Sequence, residues 1–299
     1  MGTSRADKAA RFRALHQGPR AFLIANPWDA GTARILAGLG FEALATSSGA
    51  SAGTLGRRDG KVVRDECLAQ AQLICEAVDL PVSADLEKCF GDSPEVVAET
   101  IRLAARTGLV GGSVEDATGD KDKPIFDLSQ AVERVHAAVE AARKADFVLT
   151  ARSENFLRGR LDLDDTIRRL QAYEKAGADV LMAPGLPDLA SVKAVCEAVK
   201  KPVNFMAGIK GKSFSVAELE AAGADAGTVR QVEIARDVEL LVLRRDDFSF
   251  QAPSFTTAIA SSWTLKASMM RTLHTVRAGG PSGTYWRYTR FSASYSMRS

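Results

Sequence analysis

The chain has 299 residues, 46% of them hydrophobic and 25% charged, with a net charge of +2 at neutral pH. Such a composition supplies a sizeable buried core and excludes a disordered or coiled-coil chain. No apolar run approaches the ~20 residues that cross a bilayer, and the polar, charged start from Met1 to Arg20 lacks an export signal, so the expectation is a cytoplasmic protein without a membrane partner. Charge is unevenly spread: no Asp or Glu follows Asp247, while Lys266, Arg271, Arg277, Arg287, Arg290 and Arg298 do, leaving residues 1–247 at −4. That mildly acidic body gives no reason to expect nucleic acid.

Taken in order, a polar helical lead-in precedes the buried strand Ala21 to Asn26, and Pro27 to Gly31 turns the chain into a helix from Thr32 to Leu39. Phe41 to Thr46 is the next strand, and Ser47 to Gly53 is a loop of small residues. Helical spacing from Val63 to Val78 leads to Pro81-Val82-Ser83-Ala84-Asp85-Leu86-Glu87, where an apolar strand ends in two carboxylates two positions apart. Period-2 geometry points both acids to one side. Close carboxylates repel, and sharing a hard cation such as Mg²⁺ or Mn²⁺ relieves the repulsion; solvated acids, or caps for the helix near Ser93, are the plainer alternative.

The alternation continues with helix 93–107, strand 111–115, helix 128–144, strand 147–152, helix 164–176, strand 180–183, helix 189–199, strand 202–206 and helix 215–222. Seven nearly continuous apolar strands, each followed by a helix, predict a parallel sheet covered on both faces. Either a doubly wound open sheet or a closed (β/α)₈ barrel fits. Recurring strand starters after Gly40, Gly177 and Gly223 favour the α/β barrel, and no G-x-G-x-x-G follows the first strand. An eighth strand is expected near Ala224 to Val229, although Val229 to Leu243 reads as one amphipathic helix. The barrel is assigned to residues 1–247, and 248–299 to an extension, helical and then a flexible basic tail.

In a barrel the reacting groups stand where strands end. Those positions hold Asn26 and Asp29; Thr46, Ser47, Ser48 and Gly49; Asp85 and Glu87; Glu115 and Asp116; Arg152 and Glu154; and Asn204 within strand seven. Several acids around one mouth require a divalent cation, while Arg152 and the Ser47 to Gly49 amides suit an anionic substrate. A metal with an arginine fits a small α-oxo or α-hydroxy carboxylate whose enolate is stabilised as a neighbouring bond breaks. Against this stand an ion pair of Arg152 with Glu154 or Glu115, a tight turn at Ser47 to Gly49, and Glu115 as a helix N-terminal acid. Cys89 is the one cysteine beside the acids, with a small buried thiol as the alternative, and His16, His136 and His274 stand at no strand end.

Asn26-Pro-Trp-Asp-Ala-Gly31, Ala45-Thr-Ser-Ser-Gly49, Leu55-Gly-Arg-Arg-Asp-Gly60, Ser83-Ala-Asp-Leu-Glu87 with Phe90-Gly-Asp92, Gly112-Ser-Val-Glu-Asp116 and Ala151-Arg-Ser-Glu-Asn155 resemble, in order, motifs of the isocitrate lyase / phosphoenolpyruvate mutase superfamily. The resemblance covers roughly residues 15–225. It implies a (β/α)₈ barrel with a last helix swapped in a homodimer or homotetramer, and Mg²⁺ held by Asp85 and, directly or through water, by Glu87, Glu115 and Asp59. It further implies a substrate carboxylate on Thr46 to Gly49 and Arg152, with Asn204 assisting, and lyase chemistry (C–C or P–C cleavage) through a pyruvate-enolate-like intermediate. The chain departs from the cleaving lyases at the loop after strand four, where Ala117 to Phe126 carries neither the cysteine nor the histidine of their Lys-Lys-Cys-Gly-His segment. Oxaloacetate decarboxylation and phosphonopyruvate-type chemistry do not need that thiol. A barrel that keeps the pocket without catalysis is the remaining alternative.

Overall fold

The computed structural model describes residues 2–207, 214–223 and 229–234. Its strands are β1 (Phe22–Ala25), β2 (Ala43–Ala45), β3 (Val82–Asp85), β4 (Gly111–Glu115), β5 (Val148–Arg152), β6 (Val180–Met182), β7 (Val203–Ala207) and β8 (Val229–Ile234). Between and before them run α1 (Arg5–Gln17), α2 (Ala30–Gly38), α3 (Ser48–Thr54), α4 (Arg64–Ala77), α5 (Pro94–Arg106), α6 (Leu128–Lys144), α7 (Leu163–Ala176), α8 (Leu189–Ala198) and α9 (Val216–Ala222). Every strand pairs in parallel with the next, and β8 pairs with both β7 and β1, so the sheet is a closed barrel.

Local chemistry starts the helices. Ser4, Ser93, Asp162 and Asp188 each accept from a backbone N–H in the first turn, and Asp29 with Thr32 and Ser215 with Glu218 complete reciprocal capping boxes. Pro94 opens α5, and Gly177, at φ +103°, ends α7 where a Cβ is costly. Among the described residues no helix is long and apolar enough to cross a membrane.

Strand alternation divides the apolar residues into two layers. Leu44, Val82, Ala84, Val114, Leu149, Ala151 and Leu181 face the helices, where they join Ile74, Ile101, Leu170 and Val195 in the main core. Phe22, Ile24, Ala43, Ala45, Val110, Val148 and Val180 form a second core with Ala9 and Phe12 of α1. Helix α1 thus covers the N-terminal end of the barrel, and Gly111 is demanded there because a side chain would stand 2.7 Å from the Phe12 ring. His16 belongs to this packing, edge-on to Phe12 and Phe22 with Nδ1 2.8 Å from the Phe12 carbonyl. With the lower end filled by apolar groups, polar inward residues are left to the opposite end.

Three expectations are corrected. Residues 48–54 are a helix, not a loop, since Ser47 caps it by accepting from Ala50. Residues 229–234 are a strand and not the start of an amphipathic helix. Both β1 and β7 would otherwise present unpaired backbone edges, and pairing on two sides outweighs helical spacing. Finally, β3 stops at Asp85, so Glu87 does not share its strand face; Glu87 lies in a turn with φ +49°. The expected extension 248–299, its tail and the swapped last helix lie outside the described residues.

Candidate active site

Parallel register carries the inward positions around the barrel: Glu115 pairs with Arg152, Arg152 with Met182, and Met182 with Asn204. Asp85, at the end of β3, is level with Ser113. These inward side chains meet at the C-terminal mouth.

Arg152 is the hub. Its guanidinium lies 2.8 Å from Glu154 Oε1, 3.2 Å from Glu115 Oε1 and 3.4 Å from Asp85 Oδ1. The ion pair with Glu154 and Glu115 and the strand-end cluster, set against each other in the sequence, are therefore one arrangement. From the neighbouring loop Ser48 N–H donates to Asp85 Oδ2 at 3.3 Å, and the Asp85 N–H donates to Thr46 Oγ1 at 3.2 Å. Ser47 caps α3 and Gly49 follows in its first turn, where a side chain would come within 3.8 Å of the Asp59 carboxyl group. Asn204 is buried beside Met182, its amide 3.5 Å from the Met182 sulfur. Arg152 thus brings Asp85 and Glu115 together at this end.

Burial sets the electrostatics. It pushes Glu115 well above the ordinary carboxylate range, against the pull of Arg152, and raises Glu154 likewise. Glu87 is pushed up to about 7, first by burial and then by Asp85 and Asp59. The repulsion of Glu87 by Asp85 and Asp59 is what a cation on that side of the mouth would relieve. Among the described residues no three His, Cys, Asp or Glu side chains gather closely enough to enclose an ion. The donor set fits a hard divalent ion such as Mg²⁺, which keeps several waters and takes one or two carboxylates.

The loop from Glu87 to Gly91 holds three non-glycine residues at positive φ: Glu87 (49°), Cys89 (60°) and Phe90 (59°). Such backbone persists only when its surroundings over-determine it. Buried Arg134 of α6 does so, donating to the carbonyls of Lys88 (2.5 Å), Gly91 (3.2 Å) and Glu115 (2.9 Å) with its guanidinium 4.2 Å above the Phe126 ring. Thr100 donates to the Cys89 carbonyl and Glu115 N–H to that of Glu87. Cys89 is fully buried, its thiol pushed up to about 12, first by burial, so it is packing. Lys88 reaches Asp92 and the Thr118 carbonyl at 2.6 and 2.7 Å, tying this loop to the next. The β4 loop folds back as Ala117 bridges Ile125, and Lys123 pairs with Asp127.

Asp116 takes a different place from Glu115. It accepts from Tyr173 Oη at 2.6 Å, Arg169 at 3.2 Å and Glu154 N–H at 2.8 Å, within the wall between sheet and α7. Arg134, Arg169 and Tyr173 escaped sequence reading, yet a signal existed. Arg134 stands among Ala131, Val135 and Ala138 on the apolar face of α6, and Arg169 and Tyr173 flank Leu170 on that of α7. A charge at a core-facing helical position calls for a buried partner. Arg158, in the 3₁₀ turn Phe156–Arg158 after β5, was also missed; it points its Nη2 at Glu115 and Glu154, 3.6 and 3.9 Å away.

A closed (β/α)₈ barrel whose C-terminal mouth gathers carboxylates, guanidinium groups and a capped loop has its polar side chains where barrel enzymes place their active sites. Residues 12–234 match the phosphoenolpyruvate phosphomutase family, to which the chain belongs. It is 32% identical over 201 residues to 2-methylisocitrate lyase of Escherichia coli (strain K12), covering 64% of this chain and 67% of that one. It is also 32% identical over 199 residues to oxaloacetate decarboxylase of Ectopseudomonas mendocina (strain ymp), with the same coverage. A crystal structure of a provisionally assigned lyase/mutase from Burkholderia cenocepacia J2315 has 54% identity and a TM-score of 0.74, over 77% of this chain and 81% of that one.

Proposed function

We propose that the protein is a Mg²⁺-dependent lyase that breaks a C–C or P–C bond next to the carbonyl or carbinol carbon of a small α-oxo or α-hydroxy acid. The observation that carries this reading is that Asp85 and Glu115 flank one guanidinium, Arg152, inside the barrel mouth. Asp85 would hold the ion, with Glu87, Asp59 and Glu115 assisting through water. Bound there, Mg²⁺ supplies Lewis-acid stabilisation of a developing enolate. The chain's own groups do the rest. Arg152 and the loop Thr46 to Gly49 orient the substrate carboxylate, and Asn204 presents an amide from the next strands.

The β4 loop favours decarboxylation of an oxaloacetate-like acid or phosphonopyruvate-type chemistry over cleavage that uses a thiol acid. Ala117 to Phe126 offers no cysteine or histidine, and Cys89 is buried and protonated. The loop alone carries this preference, since oxaloacetate decarboxylase and 2-methylisocitrate lyase are matched at the same 32% identity.

The test is pyruvate release from oxaloacetate, methylisocitrate, phosphonopyruvate and 2-alkylmalates, with Mg²⁺ and with EDTA. Turnover that EDTA and Asp85→Asn both abolish supports the reading. Metal binding with no turnover of any member rejects it in favour of a non-catalytic barrel.

A further inference from the structure

The two guanidinium groups at the mouth are in different situations. Arg152 is 5% exposed and meets three carboxylates at 2.8 to 3.4 Å, so displacing it would leave Glu115 and Glu154 buried without their counter-charge. The Arg158 side chain is 44% exposed, and its carboxylate distances of 3.6 and 3.9 Å are longer than a formed hydrogen bond. Half-exposed pairs of that length contribute little, so redirecting Arg158 to an incoming anion costs little.

Its position suits that use. The 3₁₀ turn is anchored by Arg158 N–H to the carbonyls of Glu154 and Asn155, by Arg160 N–H to that of Asn155, and by Gly159 at φ +79°. The backbone is therefore held while the side chain reaches inward. Glu115 and Glu154 each give Oε1 to Arg152 and face Oε2 toward Arg158, which keeps the two cations about a carboxylate apart. Glu87, on the β3 loop, is close enough for the Arg158 charge to act on it.

From this geometry we infer that Arg158 is a specificity-determining residue: it receives the second anionic end of the substrate and makes the mouth select acids charged at both ends over mono-acids. The inference rests on the proposed function for the identity of the first anionic group, held at Arg152.

Calorimetric titration of the full-length protein, in Mg²⁺, with malate, 3-phosphonopropionate and pyruvate tests it. In Arg158→Ala the affinity for one or both dianions falls at least tenfold while pyruvate changes less than twofold, and Arg158→Lys restores part of the loss. Whichever dianion loses more identifies a carboxylate or a phosphonate as the second group. On any acid that is turned over, KM rises at least tenfold and kcat changes less than threefold. Equal loss for pyruvate and the dianions, no loss, or a wild-type protein that binds no dianion overturns the inference. Wild-type dianion binding that depends on Arg158, without turnover, defeats the proposed reaction and leaves the inference standing.

Discussion

Glu115 faces Arg152 across the β4 and β5 register, and its Oε1 lies 3.2 Å from the guanidinium. One residue further on, Asp116 turns to the opposite side of the same strand end and accepts from Tyr173 at 2.6 Å. Two consecutive acids thus serve two layers. Glu115 lines the mouth where an ionic ligand is handled, and Asp116 ties the sheet to α7, which holds that mouth in shape.

Asp85 is partly exposed and accepts from Glu87 N–H at Oδ1 (3.1 Å) and from Ser48 N–H at Oδ2 (3.3 Å), and an asparagine oxygen keeps the first while giving up only the longer second. Asp85→Asn is therefore expected to lower turnover by on the order of 10²-fold or more with a melting temperature within about 3 °C of wild type. Steady-state assays beside thermal melts check it. Full activity in the variant removes Asp85 from the chemistry.

Arg134 donates to three buried loop carbonyls and stacks on Phe126. Arg134→Met leaves those acceptors unpaired, an effect of about 3 to 5 kcal/mol, which corresponds to a melting temperature lower by roughly 10 °C. Activity falls with it, because the loop carrying Glu87 and the end of β4 carrying Glu115 lose their common tie. An unchanged melting curve contradicts this account.

Asp165 is buried, and although burial pulls the other way, hydrogen bonds from Arg169 (2.7 Å), Arg168 (2.5 Å) and Asn155 (3.0 Å) hold its pKa far below the ordinary value. A carboxylate with a depressed folded pKa adds stability that is complete above its unfolded value, about 3.9, and is lost as pH falls below it. The urea midpoint of wild type is thus expected to exceed that of Asp165→Asn by a constant margin from pH 5 to 8, and the margin to shrink below about pH 4. A margin that grows on acidification reverses the sign and refutes it.

Cys67, Cys75 and Cys89 are buried, with thiols each pushed up to about 12, first by burial, and Cys196 is buried as well. In the native protein at pH 8 none of the four is expected to react with a thiol reagent within minutes, whereas denatured protein releases all four. Cys89→Ala keeps at least half of wild-type kcat. Rapid native labelling at Cys89, or loss of turnover on its replacement, makes the thiol chemical.

Much of the site was legible. Apolar runs ending in Asp85, Glu115 and Arg152 announce strand ends, because alternation and length are local properties of the chain. The β3 turn was not legible: nothing in Leu86-Glu87-Lys88-Cys89-Phe90 signals left-handed backbone, which the Arg134 clamp from α6 and Thr100 from α5 impose. Nor was β8, since Val229, Val232 and Glu233 satisfy a helical spacing as readily as an extended one until β1 and β7 offer their edges.

By itself the sequence determined the alternation of strands and helices, their caps, and which acids and bases stand at strand ends, since each depends on residues a few positions apart. Tertiary structure alone decided that the barrel closes through residues 229–234, that Arg152 is shared by Asp85, Glu115 and Glu154, and that Arg158 is the more accessible cation. The reason is physical. Ion pairing and burial-driven pKa shifts depend on distances between groups tens of residues apart and on the water excluded around them, and neither quantity exists until the chain has folded.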